Sequence, residues 1–178
     1  MYLAMGTIFL GWASALGGAT ETGIRLMRQG LHDYRATGAA SWVPYYAGLL
    51  AEQLGQAGFV EEASAVLNEA RDAAKRASDR FFWEAELRRL DGELRLRSRS
   101  TEPREAQENF RSAITVAQEQ QAKSLELRAA ISLARLWRAQ GKVQQARELL
   151  APVYEWFTEG FDTRDLKEAK ALLNELAA

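Results

Sequence analysis

The sequence predicts an all-α protein, a right-handed superhelix of four stacked helix pairs followed by a C-terminal capping helix. Three observations lead to this fold. The chain has 178 residues and only three prolines, and it is rich in residues of high helix propensity. Small side chains recur about 40 residues apart, and glycines separate consecutive helices. An internal period of this size is typical of stacked helix pairs.

The period rests on two series of small residues. The first series is Gly11, Ala51, Gly92 and Ala134, with steps of 40, 41 and 42 residues. The second series is Gly23, Ala63, Ala106 and Ala146, with steps of 40, 43 and 40 residues. The turn glycines Gly18, Gly58 and Gly141 lie between the two series. Antiparallel helices approach closely only where side chains are small, so each series marks one helix of a pair. A larger residue four places after the second series, from Met27 to Leu150, is expected to fill the gap between pairs.

This register defines the domain organisation. We expect one domain over residues 1–178, with repeats at about 1–38, 41–77, 79–120 and 123–158 and a capping helix at 163–177. Pro44 fits the first turn of a helix, where a missing N–H costs little, and Pro152 is expected to bend its helix. Residues expected to cap helices are Thr20, Ser78–Asp79, and Asp162 or Thr163.

The first 60 residues are unusual in their charge. They contain three Lys or Arg and three Asp or Glu, against 20 and 21 in the remaining 118 residues. A face with so little charge is usually covered, and we expect a neighbouring domain of a longer chain or a second copy to cover it. The apolar opening also allows a secretion signal or membrane segment as an alternative, but it lacks the preceding Lys or Arg of a signal. Its glycines match the repeat register, which favours a first repeat helix.

Composition argues against most chemistry. There is no cysteine and the net charge is -1, so thiolate chemistry is excluded and no overall charge attracts nucleic acid or an anionic membrane. His32 is the single histidine and has no companion ligands for a metal. The carboxylate pair Glu61–Glu62 lies in a charge-balanced helical face. The five tryptophans are expected mainly in the core. We therefore expect no enzymatic activity, no cofactor and no metal.

The small-large-small pattern with a turn glycine resembles tetratricopeptide repeats, with the usual 34-residue period lengthened to 40 or more. The segment from Lys123 to Leu176, with WEAELRRLDGEL upstream, is similar to the C-terminal repeat region of large bacterial signalling proteins. Those proteins join a class III adenylate or guanylate cyclase domain, or a transcription-factor domain, to an ATPase module. The resemblance implies a regulatory or interaction region in the cytoplasm and assigns no catalytic residue.

By analogy with tetratricopeptide modules, the first helix of each pair would line a partner-binding groove. The groove residues would be Trp12, Tyr45, Glu52, Arg89, Glu93, Arg97, Arg128, Arg135 and Arg138. The spacing of Arg128, Arg135 and Arg138 places them on one helical face, where they could bind an acidic peptide or a terminal carboxylate. The alternative is a solvated face paired with Glu126 and its neighbours.

The function predicted from the sequence is a non-catalytic protein–protein interaction or regulatory module. It would bind a protein or peptide partner, or neighbouring domains of a longer cytoplasmic signalling protein of which this chain is a fragment. One alternative is a repeat domain that senses a small effector. Another is a homodimerisation module acting through the N-terminal repeat.

Overall fold

The computed structural model describes residues 1–76, 82–98 and 103–177. Within these ranges the protein is all-α, as the sequence predicts, and contains nine helices and no strand. The helices are α1 (Tyr2–Leu16), α2 (Thr20–Ala36), α3 (Val43–Gln56), α4 (Val60–Arg76), α5 (Glu84–Arg97), α6 (Pro103–Glu119), α7 (Lys123–Ala139), α8 (Val143–Glu155) and α9 (Arg164–Glu175).

Contacts between helices follow one rule along the chain. Each odd-numbered helix from α1 to α7 packs against the even-numbered helix that follows it. From α3 to α9, each odd-numbered helix also contacts both helices of the preceding pair. Within the described residues the backbones of even-numbered helices do not approach one another closely, although Arg28 and Arg35 of α2 form ion pairs with Glu62 and Glu69 of α4. The odd-numbered helices therefore form a continuous row, and α9 occupies the place of a next first helix against α7 and α8.

The small residues lie where the two helices of each pair cross. A Cβ built on Gly11 would come within 2.7 Å of the Gly23 carbonyl oxygen, and one on Gly23 within 2.5 Å of the Gly11 carbonyl oxygen. Both distances are too short for real contacts, so only glycine allows this approach of α1 and α2. Residues from the other pairs, Ala51, Ala63, Ala106, Ala134 and Ala146, are 0% exposed. The burial predicted for the two series is confirmed, and the close crossing is observed between α1 and α2.

The larger residues four places after the second series are equally buried. Met27, Leu67, Phe110 and Leu150 are at most 1% exposed. At one end of the chain, α9 packs Leu166, Ala169, Leu172 and Leu176 inward, each at most 4% exposed. The exposed residues of α9 include Lys167 and Lys170, so the helix presents a polar surface on its outer side, as its pattern predicts.

The turns that follow α1, α3 and α7 have glycine at left-handed backbone angles. Gly18, Gly58 and Gly141 have φ values of 96°, 88° and 76°, which L-residues with a side chain rarely adopt. The capping prediction was wrong for Thr20 and correct in position for Thr163. Thr20 is the first residue inside α2, one position beyond the N-cap Ala19. Thr163 is the N-cap of α9, but its hydroxyl donates to the Gly160 carbonyl instead of accepting from the helix. Ser78–Asp79 lies outside the described residues.

Two other expectations concern Pro152 and the tryptophans. Pro152 lies inside α8, as predicted. The tryptophans are less buried than expected: Trp12, Trp83 and Trp137 are only partly buried, and Trp42 and Trp156 are 45% and 58% exposed. Trp12, Trp83 and Trp137 pack against the buried core residues without being enclosed by them.

The apolar opening forms α1 and packs on α2 as the first helix of the first pair. In the described part of the chain, no helix combines the length and apolar character needed to cross a membrane.

The crossing of α1 and α2 can be tested with two Gly→Ala substitutions in the same helix. Gly11→Ala should destabilise the protein by about 1–3 kcal/mol, because the added methyl overlaps the Gly23 backbone and Met27. Gly6→Ala is the control, because a Cβ there meets nothing within 4 Å. Alanine at position 6 should stabilise the helix by about 0.5–1 kcal/mol. Urea unfolding followed by circular dichroism measures both. Equal effects of the two substitutions would contradict the close crossing.

Candidate functional site

A cavity of about 560 Å³ runs along the row of odd-numbered helices. Every residue that lines it belongs to α1, α3, α5, α7 or α9 or to the turns just before α5 and α9, and none belongs to an even-numbered helix. Apolar walls come from Leu16, Leu49, Leu90, Leu94 and Ile131. The charged lining residues are Glu52, Arg89, Glu93, Arg97, Arg128, Arg135, Arg164, Asp165 and Glu168. The first helix of each pair therefore supplies this cavity, as the groove prediction requires.

A buried ion network forms the floor of the cavity. Arg89 donates to both carboxylate oxygens of Glu86, at 2.9 Å from Nε and 2.6 Å from Nη2. Its Nη2 also donates to Glu52 Oε1 at 3.0 Å, and Glu93 Oε1 lies 3.6 Å from Nη1. The Arg89 and Glu86 side chains are only 9% and 2% exposed. The α5 side chains are therefore tied to α3 by a charge-assisted contact, which is stronger than a neutral hydrogen bond.

Arg128 extends this network from α5 to α7. Its Nη2 lies 3.1 Å from Glu52 Oε1 and 2.9 Å from Glu86 Oε1. A second link between these helices is the Ser132 hydroxyl, which donates to Glu93 Oε1 at 2.7 Å. Three consecutive odd-numbered helices thus share one set of ion pairs. The arrangement holds the side chains of the cavity floor in fixed positions.

The ion network sets the charge states of its members. Burial alone would raise the pKa of Glu86, but Arg89 and then Arg128 outweigh it and hold that pKa below its usual value. Burial alone would lower the pKa of Arg89, and Glu86, Glu52 and Glu93 together raise it. Glu86 and Arg89 therefore both stay charged. Burial also raises the pKa of Tyr45 beside the network, which keeps its phenol neutral.

The predicted groove residues can now be placed. Eight of the nine line the cavity: Trp12, Tyr45, Glu52, Arg89, Glu93, Arg97, Arg128 and Arg135. Arg138 does not line it, and its guanidinium instead pairs with Glu175 of α9. Arg138 follows Ala134 by four residues, whereas Arg97 follows Gly92 by five. One residue rotates a side chain by about 100° around a helix, so Arg138 lies on a different face.

The partners of the arginine row also differ from expectation. Arg135 pairs with Glu168 of α9 at 2.5 Å. Glu126, the partner expected in the alternative interpretation, instead accepts from Gln118 and Lys123. All three arginines of the row, Arg128, Arg135 and Arg138, therefore have carboxylate partners on other helices, and none pairs with Glu126.

The sequence interpretation missed Glu86, although the repeat register contained the signal. Glu86 precedes Gly92 by six residues, as Tyr45 precedes Ala51 and Arg128 precedes Ala134. These are equivalent positions in three successive pairs. Glu86 thus occupies the repeat position that two predicted groove residues, Tyr45 and Arg128, occupy in the neighbouring pairs. It also precedes Arg89 by three residues, which places both side chains on one helical face. Together these two facts indicate that Glu86 is the ion-pair partner of Arg89 inside the groove.

Three charged lining residues have no ion-pair partner within 4.0 Å among the described residues. They are Arg97, Arg164 and Asp165. Arg97 is exposed, and its Nη1 donates to the Gly55 carbonyl at 3.3 Å. The unpaired charge in the cavity is therefore two cations and one carboxylate. Across residues 1–76, 82–98 and 103–177, no group of three or more His, Cys, Asp or Glu side chains is arranged to hold a metal ion.

Comparison with known proteins gives one informative similarity. No protein-family model matches the chain. An uncharacterised protein of Rhizobium meliloti (strain 1021) is 33% identical over 129 residues. The match covers 72% of this chain but 12% of that protein. The chain therefore spans about an eighth of the length of the relative it matches.

The ion network makes a stability prediction. Arg89→Met should destabilise the fold by about 3–5 kcal/mol, because it leaves the Glu86 charge buried with only part of its compensation. Arg104→Met is the control, since Arg104 is 82% exposed and pairs with Glu108 in the same helix. That exposed pair should contribute no more than about 1 kcal/mol. Chemical denaturation measures both variants, and comparable losses would show that Arg89 is not the centre of a buried network.

The lowered pKa of Glu86 predicts a pH dependence. The ordinary pKa of a glutamate side chain is 4.5. As the pH falls through this value, Glu86 takes up a proton in the unfolded chain before it does so in the folded chain. The stabilisation is therefore fully present above about pH 4.5 and is lost as the pH falls through the lower folded pKa. Melting temperatures of the native protein should fall more steeply between pH 5 and pH 3 than those of Glu86→Gln. Parallel curves would contradict the assignment.

Proposed function

We propose that the chain is a non-catalytic binding module in which tetratricopeptide-like helix pairs form a right-handed superhelix and the row of odd-numbered helices binds an extended segment of a protein partner. The contact rule supports this arrangement, because each new pair meets the preceding one through its first helix. Stacked helix pairs characteristically use such a continuous inner surface for binding.

The observation that carries the proposal is the origin of the cavity lining. Five successive odd-numbered helices contribute to one cavity, and its floor is held by ion pairs between α3, α5 and α7. Side chains that are already ordered lose little conformational entropy when a ligand binds. A preformed groove that crosses several repeats suits an extended chain better than a compact one.

The chemistry of the groove favours a peptide with both apolar and acidic residues. Leu49, Leu90 and Ile131 offer apolar contacts. Arg97 and Arg164 offer cations without an ion-pair partner in the described part of the chain. Arg89, Arg128 and Arg135 are already paired with carboxylates. The acidic side chain of the partner would therefore meet Arg97 and Arg164, and the Arg128, Arg135 and Arg138 row would serve the structure.

The match covers only 12% of the Rhizobium meliloti protein, and this supports a further part of the proposal. A segment similar to this chain occurs within a protein about eight times longer than the matched stretch. We infer that the module works as part of a larger cytoplasmic signalling protein, where it receives a partner or a neighbouring domain. This inference concerns the role of the chain and assigns no activity to it.

A small effector is a second candidate because of the cavity volume. About 560 Å³ lies within the range of about 300–1,000 Å³ that is typical of small-molecule sites. An effector with a carboxylate or phosphate group would use the same Arg97 and Arg164. A thermal-shift screen of metabolites detects this, because a ligand that binds only the folded state raises the melting temperature.

Selection of peptides on the purified protein tests the main proposal. We expect selected peptides to be enriched in acidic residues and to lose about 10- to 100-fold in affinity on Arg97→Glu, since one charge-assisted hydrogen bond contributes roughly 1.5–3 kcal/mol. Arg104→Glu is the control, because Arg104 is 82% exposed on α6 and does not line the cavity. Failure to select any peptide, or equal losses in the two variants, would refute the groove as a peptide site.

A further inference from the structure

Exposed apolar side chains are concentrated on α1. Six of the thirteen large apolar residues that are exposed in the described chain lie within residues 1–16: Met1, Tyr2, Leu3, Phe9, Leu10 and Leu16. Leu3 is 87% exposed and Leu10 is 60% exposed. The helix contains no charged side chain. A contiguous exposed apolar surface of this kind marks an interaction site.

Two of these residues, Leu3 and Leu10, lie on one stripe along the helix. Leu3, Gly6, Leu10 and Ala13 follow each other at steps of 3, 4 and 3 residues, and all four are exposed. We refer to these four residues as the outer stripe of α1. Thr7 and Ser14 flank it, but their hydroxyls donate to the carbonyls of Leu3 and Leu10 in the same helix. The polar groups beside the stripe are therefore already satisfied, and the stripe presents apolar surface.

The repeat register shows that this stripe is a stacking surface. The residues equivalent to Gly6, Leu10 and Ala13 in α3 are Tyr46, Leu50 and Gln53, each at most 3% exposed. In α7 they are Ala129, Leu133 and Leu136, each at most 8% exposed. The helices α3 and α7 are covered there by the preceding pair, α1 and α2 or α5 and α6. On α1, the same positions carry apolar residues and are exposed within the described part of the chain.

The stripe is complementary to itself under a two-fold axis. When two copies of α1 pair antiparallel about the level of Ile8, Leu3 of one copy lies opposite Ala13 of the other. Leu10 then lies opposite Gly6. Each large side chain meets a small one, as at the crossing of α1 with α2, and the helix dipoles run in opposite directions. A parallel pairing would instead place leucine on leucine and glycine on glycine, which leaves gaps.

Charge favours a second copy over a head-to-tail stack. In a contact across a two-fold axis, the same surface patch of each copy faces the other. A charged patch would therefore face like charges, which oppose association. The helix α1 has no charged side chain and avoids this repulsion. The C-terminal end of the chain offers no match, because the outer side of α9 carries Lys167 and Lys170 among its exposed residues.

We propose that the outer stripe of α1 binds the outer stripe of a second copy of this chain as an antiparallel helix pair, which makes the protein a homodimer. A 15-residue helix is only about 22 Å long. The contact is therefore smaller than the roughly 800 Å² per partner of a standard interface. Association should accordingly be weak, with a micromolar dissociation constant.

Sedimentation equilibrium tests the dimer. Between about 1 and 200 µM, the range in which a contact of this size associates, the molar mass of the native chain should rise from 19.9 kDa toward twice that value. Leu10→Glu should remain at 19.9 kDa, because it places a carboxylate against apolar surface. Val143→Glu is the control, since Val143 is 41% exposed at the start of α8 and should leave association unchanged. A native chain that stays monomeric throughout, or an unaffected Leu10→Glu variant, would overturn the proposal.

Disulfide cross-linking tests the antiparallel register. The chain has no cysteine, so introduced thiols are the only ones present. Oxidation of a mixture of Leu3→Cys and Ala13→Cys should give the mixed dimer, with little cross-linking of either variant alone, because a disulfide needs Cβ atoms about 4 Å apart. Cross-linking of Leu3→Cys to itself would overturn the antiparallel register. Circular dichroism of each variant at low concentration checks that the exposed substitutions leave the fold intact.

Discussion

The close approach of the two helices in each pair determines most of this structure. At Gly11 and Gly23 the backbones themselves are in contact, and no side chain separates them. At Gly92 the same space is filled by the Phe110 ring, 2.5 Å from where a Cβ would be. Each odd-numbered helix from α3 to α9 also lies against both helices of the preceding pair. The row of odd-numbered helices, and the cavity along it, follow from this stacking.

The sequence predicts this part of the structure well, because the constraint is local and recurs. Two small residues 12 or 14 positions apart mark a helix pair, and repetition in four pairs makes the pattern distinguishable from chance. The errors concern features that do not recur. Thr20 is a good capping residue by type, but the three-residue turn ends at Ala19 and leaves it inside the helix. Trp156 follows the pattern of a packed helix end, yet it lies 58% exposed.

The candidate site was predictable in position but not in its connections. Register alone places eight of the nine groove residues on the cavity, and register also explains why Arg138 lies elsewhere. The ion pairs join residues far apart in sequence, such as Glu52 and Arg128, and no local pattern states which arginine meets which carboxylate. The arginines of α7, Arg128, Arg135 and Arg138, suggest a cationic surface. In the structure they form ion pairs with Glu52, Glu86, Glu168 and Glu175. The cavity cations without an ion-pair partner among the described residues are therefore Arg97 and Arg164.

The two surfaces of α1 connect the groove with self-association. Trp12 and Leu16 line the cavity, while Leu3 and Leu10 lie on the outer stripe of the same helix. A second copy bound antiparallel at that stripe would place the α1 end of its own groove about 18 Å from the first along the helix axis, because α1 contributes to both surfaces. Two linked binding sites hold a partner with two matching segments more tightly than either site alone, since the second contact forms at high effective concentration. A weak dimer would therefore be strengthened by such a partner, because binding to both copies also holds the copies together. The apolar stripe and the polar groove would then act as one binding surface.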